Sequence, residues 1–216
     1  MRALILCAGL GERMRPLTWS NPKPLLRVGA QSLVQRHLER LAAIGVREAV
    51  INTAWLAHRF PESLGGEACG VRLQYSFEGS WPLETGGGIR AALPLLGEDP
   101  FICLNGDIWS EFPLGALPRT VDHSAHLLLR PLPPFRQAGP FESLATKLLP
   151  EQSAPHTFAG YAVYRPDRLQ GLPHRGSIVD WWLQELAAQR ISVDRYDGPW
   201  EDVGTVERLQ VLQNQG

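Results

Sequence analysis

From Gly9 to Pro24 the chain reads GLGERMRPLTWSNPKP, which crowds two glycines, two arginines, three prolines and a lysine into one loop. Glycine lets backbone N–H groups approach an anion closely, and guanidinium and ammonium groups add charge-assisted donors. The chemistry implied is phosphate binding. Arg13 follows Gly11 closely enough for its planar fork to share phosphate oxygens with the backbone. Pro22 and Pro24 bracket Lys23 and stiffen it, which lowers the entropic cost of placing one ammonium. Two familiar signatures are absent. No GK[ST] triplet occurs, and the GxGxxG fingerprint fails at Met14.

Carboxylates supply the second half of such chemistry. LNGD (Leu104–Asp107) ends an apolar run, and WEDVGT (Trp200–Thr205) lies near the C-terminus. Mg²⁺ takes one or two protein carboxylates together with phosphate oxygens, so Asp107 beside a phosphate loop is a candidate ligand. A helix or turn cap accounts for it equally well. Asp202 is the second candidate, with an Asx-turn as its alternative. PLETGGGI (Pro82–Ile89) places three glycines where a helix opens, so bare backbone can face a base or a ribose. The six histidines form no HxxxH or HxH pair, and none is read as a metal ligand.

These groups need strands and helices to hold them. Ala3–Cys7, Glu48–Asn52, Val71–Phe77 and Phe101–Leu104 read as strands. Ser32–Ile44, Trp55–Leu64 and Glu84–Leu96 read as helices, the first opened by a Ser32/Gln35 capping box. This βαβαβ rhythm predicts a parallel sheet with helices on both faces, and ligands at the carboxyl ends of its strands. Farther on, His126–Leu132, Phe158–Tyr164 and Ile191–Tyr196 read as strands and Ile178–Arg190 as a helix. A last helix follows WEDVGT. Pro131–Thr157, rich in proline and glycine, reads as a long loop with at most a short strand.

The chain of 216 residues carries 21 basic against 22 acidic residues and is 44% hydrophobic. Such balance argues against a duplex-binding protein, so cationic function is local. No run reaches the length of a membrane span, and the apolar N-terminal run is too short for a signal peptide. A cytoplasmic protein is expected, monomeric or a small homo-oligomer. Cys7, Cys69 and Cys103 show no CxxC spacing and are expected as reduced thiols, Cys7 and Cys103 in buried strands.

The pattern LxAGxGxRxxPxTxxxPKP (Leu6–Pro24) resembles the signature of the sugar-1-phosphate nucleotidyltransferases. The likeness runs from Met1 to about Leu132 and returns over Phe158–Gln210. It implies an α/β fold: a Rossmann-like, mostly parallel sheet flanked by helices, in one domain (residues 1–216) without a C-terminal β-helix. Residues 1–125 would form the nucleotide half and 126–216 the sugar half. It further implies a nucleoside triphosphate and a sugar 1-phosphate as substrates, Mg²⁺ on Asp107 and Asp202, and catalysis by these with Arg13 and Lys23. Nucleotide contacts would come from Ala8, Gly9, Gly11, Glu12, Arg13 and Lys23, and from Glu84, Thr85, Gly86 and Gly87. Asn105, Glu142 and Gly160, the last within FAGY (Phe158–Tyr161), would border the sugar.

The form LETGGG is similar to that of the branch joining UTP to N-acetylmuramate α-1-phosphate in peptidoglycan recycling. Two departures stand out. The Glu-Lys-Pro triplet of many relatives is missing, and Gly139-Pro140-Phe141 stands where that branch has Gly-Asp-Phe. The competing expectations are a mannose, heptose or glucose 1-phosphate enzyme using GTP or dTTP, and a non-catalytic nucleotide-binding subunit.

Overall fold

The computed structural model describes residues 1–134, 137–149 and 154–215. Strand β1 (Ala3–Leu6) runs into the Gly9–Pro24 loop, followed by a short hairpin of β2 (Arg27–Val28) and β3 (Gln31–Ser32). Helix α1 (Leu33–Ala43) opens on the expected capping box, with the Ser32 hydroxyl accepting from the Gln35 amide and Gln35 Oε1 accepting from the Ser32 amide. Then come β4 (Glu48–Thr53), α2 (Arg59–Leu64), β5 (Glu67–Ala68), β6 (Val71–Phe77), α3 (Glu84–Leu96), β7 (Phe101–Asn105) and β8 (Ile108–Ser110). The second half holds β9 (Ala125–Pro131), α4 (Pro140–Thr146), β10 (His156–Tyr164), α5 (Val179–Ala187), β11 (Ile191–Arg195), β12 (Trp200–Asp202) and α6 (Val206–Gln215).

The main sheet has the order β11-β9-β10-β7-β1-β4-β6-β5. β7, β1, β4 and β6 are parallel, while β10 pairs antiparallel with both β7 and β9. Period-two alternation sends successive side chains of β1 to opposite faces. Ala3, Ile5 and Cys7 join Val34, Leu38 and Leu41 of α1, whereas Leu4 joins Ile89 and Ala92 of α3 and Trp181 and Trp182 of α5. Both faces are covered, as a parallel sheet requires. The chain passes from β1 to β4 on one side, then from β6 back across to β7 on the other. The crevice at the carboxyl ends of β1 and β7 is therefore a topological switch point, where open α/β sheets bind ligands.

Two expectations change in detail. Helix α2 begins at Arg59 rather than Trp55, because Leu56 holds a positive φ of 50° that ends any earlier helix. Pro61 sits in its first turn, where a missing N–H costs nothing. Within the stretch expected as a loop, Pro140–Thr146 is helical. Pro140 has φ suited to the first helical position, and Glu142 Oε2 accepts from the Gly139 amide at 2.9 Å, so GPFE is a helix start. Residues 135–136 and 150–153 of that stretch lie outside the described residues. No helix among the described residues is long and apolar enough to cross a membrane.

Candidate active site

A cleft of about 310 Å³ opens at the switch point, lined by Ala8, Gly9, Gly11, Glu12, Arg13, Lys23, Glu84, Thr85, Asn105 and Asp107 among others. The loop's shape follows from its residues. Gly11 has φ +64°, and a Cβ there would meet Thr18 Cγ2 at 2.9 Å. Thr18 in turn donates its hydroxyl to the Gly11 carbonyl at 2.8 Å. Gly9 has open space around its Cα, so its bare backbone faces the cleft. Pro22 caps a short 3₁₀ turn, Lys23–Leu25, which carries the Lys23 side chain inward until the residue is only 9% exposed.

Lys23 Nζ stands 2.5 Å from Asp107 Oδ2 and 3.9 Å from Asp202 Oδ1. Asp107 comes from the end of β7. Asp202 comes from far along the chain, brought in by the antiparallel β8–β12 ribbon that pairs Asp202 with Ile108. The Val203 amide donates to the Asp107 carbonyl at 3.0 Å, locking the two acidic segments together. Among the described residues Asp202 Oδ1 is buried with no hydrogen-bond partner. Arg13 lies exposed across Gly204, where a Cβ would stand 3.1 Å from Arg13 Nη2 and 3.3 Å from Asp202 Oδ1. Thus Arg13, Lys23, Asp107 and Asp202, spread over the sequence, converge. Asp107 and Asp202 fit a divalent hard cation: two carboxylates, one buried oxygen that accepts no hydrogen bond among the described residues, beside a cleft that admits phosphate oxygens. Among the described residues no group of three or more His, Cys, Asp and Glu could hold a metal by itself.

The structure uses the triple glycine differently from the expectation. Gly86 and Gly87 do not line the cleft. Their amides donate to the Gly176 carbonyl, and added Cβ atoms would strike Gly176 O at 2.9 Å and His174 O at 2.6 Å. A Cβ on Gly88 would strike Glu78 Oε1 at 2.5 Å. The glycines serve close packing against helix α3, and Glu84 and Thr85 are the ones that reach the cleft. Glu84 sits at φ +62°, a strained conformation for a residue with a Cβ. On the other flank Asn105 lines the cleft, whereas Glu142 and Gly160 do not. Glu142 caps α4 and accepts from Thr157 Oγ1 at 2.9 Å. Gly160, at φ +87° in a bulge of β10, backs Asn105, whose Cβ would be 3.3 Å from a Cβ at that position.

Asn52 and Glu78 are positioning residues that sequence reasoning missed. Asn52 Oδ1 accepts from the Cys7 amide at 2.6 Å, and its Nδ2 donates to Glu78 Oε1 at 2.6 Å. Glu78 Oε2 accepts from the Leu83 amide at 2.6 Å. This strut ties the end of β1, where the Gly9–Pro24 loop begins, to the segment that opens α3. Burial pushes the Glu78 carboxyl above its ordinary pKa, opposed by those two hydrogen bonds. The available signal was polarity at the carboxyl ends of two parallel strands, β4 and β6. Cys7 and Cys103 are buried and Cys69 is exposed; all three are free thiols.

The model of the nucleotidyl transferase family matches residues 2–128. The chain belongs to this family. It is 43% identical to an N-acetylmuramate alpha-1-phosphate uridylyltransferase of Neisseria meningitidis over 99% of this chain and 97% of that protein. A Caulobacter vibrioides protein of the same name is 46% identical over 50% of this chain and 47% of its own length. A crystal structure of a Bacillus anthracis protein assigned as a glucose-1-phosphate thymidylyltransferase superposes with a TM-score of 0.76 at 17% identity. It covers all of this chain and 95% of that one, a likeness of fold. As a nucleotidyl transferase, the chain carries its acidic and cationic groups on both sides of the matched region's end, with Asp202 beyond it.

Proposed function

We propose that this nucleotidyl transferase joins UTP to N-acetylmuramate α-1-phosphate, giving the UDP-sugar and pyrophosphate. The observation that carries the substrate choice is the 43% identity, spread over nearly the whole of both chains, to the Neisseria enzyme of that activity. The convergence of Arg13, Lys23, Asp107 and Asp202 at the cleft carries the chemistry.

In this reading the Gly9–Arg13 loop holds the triphosphate through backbone amides, and Glu84 and Thr85 stand on the nucleoside side. Asn105 faces the sugar. An oxygen of the sugar phosphate attacks the α-phosphorus, and the bond from that phosphorus to the β-phosphate oxygen breaks as pyrophosphate leaves. The sugar phosphate is already ionised, so no residue needs to take a proton and no covalent enzyme intermediate forms. Arg13 and Lys23 stabilise charge that grows on the phosphate oxygens. Asp107 and Asp202 would hold Mg²⁺, which when bound aligns phosphate oxygens and neutralises their charge. Lys23, set between the two carboxylates, keeps this acidic pair together.

Pyrophosphate release with Mg²⁺, crossing five nucleoside triphosphates against N-acetylmuramate, N-acetylglucosamine, glucose and mannose 1-phosphates, tests this. Highest kcat/KM is expected for UTP with the muramate sugar. Turnover confined to another pair overturns the substrate choice. Asp107→Ala should lose on the order of 10²–10³-fold or more in kcat. A wild-type rate in that variant removes Asp107 from the mechanism.

A further inference from the structure

Strand β9 ends beside a cation that the chemistry above does not use. The Arg130 guanidinium carbon lies 4.2 Å from the centroid of the Trp200 ring. That ring is itself fixed, because Trp200 Nε1 donates to the Ala159 carbonyl at 2.8 Å. Trp200 and Asp202 are two residues apart on β12, so their side chains share a face of that strand, about 7 Å apart along it. β9 and β10 also lie on the flank of β7 opposite to β4 and β6. Arg130 therefore stacks on the strand that carries Asp202, at the β9–β10 side of the sheet and away from β4 and β6.

Glu201 and Asp197 favour its charge, yet among the described residues neither forms an ion pair with it. The two acids that interact with it already have partners: Asp197 Oδ2 is 2.6 Å from Arg195 Nη2, and Glu201 Oε1 is 3.4 Å from Arg208 Nε. Among the described residues Arg130 makes no ion pair, and its Nε donates to the Pro131 carbonyl at 3.2 Å. Burial lowers its pKa from the ordinary value. A half-buried guanidinium over an indole ring, with donors to spare, is arranged to receive a carboxylate or phosphate.

N-acetylmuramate differs from N-acetylglucosamine by one group, a lactyl ether on O3 that ends in a carboxylate. That arm projects beyond the pyranose ring from the anomeric phosphate. Resting on the substrate reading above, we propose that Arg130, held on Trp200, is the specificity-determining residue that takes the lactyl carboxylate. It gives this chain a cation on the sugar side where the Glu-Lys-Pro triplet is missing.

The test compares wild type, Arg130→Met and Arg130→Lys on three acceptors: N-acetylmuramate 1-phosphate, its lactyl carboxamide, and N-acetylglucosamine 1-phosphate. In Arg130→Met, kcat/KM for the muramate sugar is expected to fall about 10- to 100-fold, mostly through KM, and that for the two acceptors without the carboxylate far less. Arg130→Lys recovers part of the loss. An equal fall on all three acceptors means a structural role and overturns the assignment, as does an unchanged preference for the acid. Should Arg130→Met not fold, the wild-type enzyme still decides: turning over the carboxamide as well as the acid overturns the proposal. Wild type inactive on the muramate sugar but active on another sugar instead overturns the substrate reading beneath it.

Discussion

His37 shows how far burial alone can move one side chain. It is 1% exposed on α1, and its pKa is lowered to about 3, first by burial and then by the charges of Arg40 and Arg36, against the opposing pull of Asp107. The unfolded chain protonates it near 6.5, so between about 6.5 and 3 the unfolded state binds the extra proton. Stability is then fully present above pH 6.5 and drains as pH falls, by at most about 1.4 kcal/mol per pH unit from this group. Urea unfolding at pH 7 and pH 5 should show that drop, and His37→Leu should flatten it without abolishing it, since burial also lowers His126. An identical pH slope in the variant would remove His37 as the cause. The same residue scale explains what the sequence revealed. Arg13 and Lys23 are legible because cations beside glycines after a strand point to phosphate, whereas for Asp107 and Asp202 the residues alone leave a cap or an Asx-turn open and the family resemblance singles them out. Asn52 and Glu78 are not legible, because their work depends on meeting each other and the Cys7 amide across strands.

At the scale of elements, two glycines separate stability from binding. Gly160 bends β10 at φ +87°, and a Cβ there would meet Ile108 Cγ1 at 2.6 Å. Gly160→Ala should cost about 1–3 kcal/mol in denaturant unfolding, and raise KM for the sugar through Asn105. Gly9 has nothing within 4 Å of an added Cβ and faces the cleft. Gly9→Ala should leave stability within about 0.5 kcal/mol and instead raise KM for the nucleotide. Equal stability losses in the two variants would contradict this division. Periodicity made β1, α1, β4, β6, α3 and β7 readable, because each has one face or a continuous run to bury. The helix Pro140–Thr146 hid behind its prolines and glycine, which signal a loop until Glu142 is seen capping Gly139. The reason for Gly86 and Gly87 was likewise hidden, since it lies in the 173–177 loop, remote in sequence.

Across the whole molecule, the site depends on the chain returning to its start. β1 and β7 deliver the Gly9–Pro24 loop and Asp107 directly, but Asp202 arrives only after the sheet has been extended through β10, β9 and β11. A separate apolar cluster holds that return in place. Val203, Leu209 and Leu212 pack with Met14 of the Gly9–Pro24 loop and with Leu26 and Leu33. Gln213 Nε2 adds a hydrogen bond to the Arg27 carbonyl at 2.9 Å. Helix α6 is then a latch that sets Asp202 against Lys23 and Asp107. Leu209, 4% exposed, is the place to loosen it. Leu209→Ala should lower stability by about 2–5 kcal/mol, as a cavity at a buried leucine does. If α6 only adds stability, kcat measured well below the unfolding transition stays at the wild-type value. If it positions Asp202, kcat falls there too, and more Mg²⁺ is needed for half-maximal rate, because one carboxylate is no longer held in register. The latch makes the second outcome the expected one. An unchanged kcat and unchanged Mg²⁺ dependence in a demonstrably destabilised variant would reduce α6 to a cover over the β8–β12 ribbon.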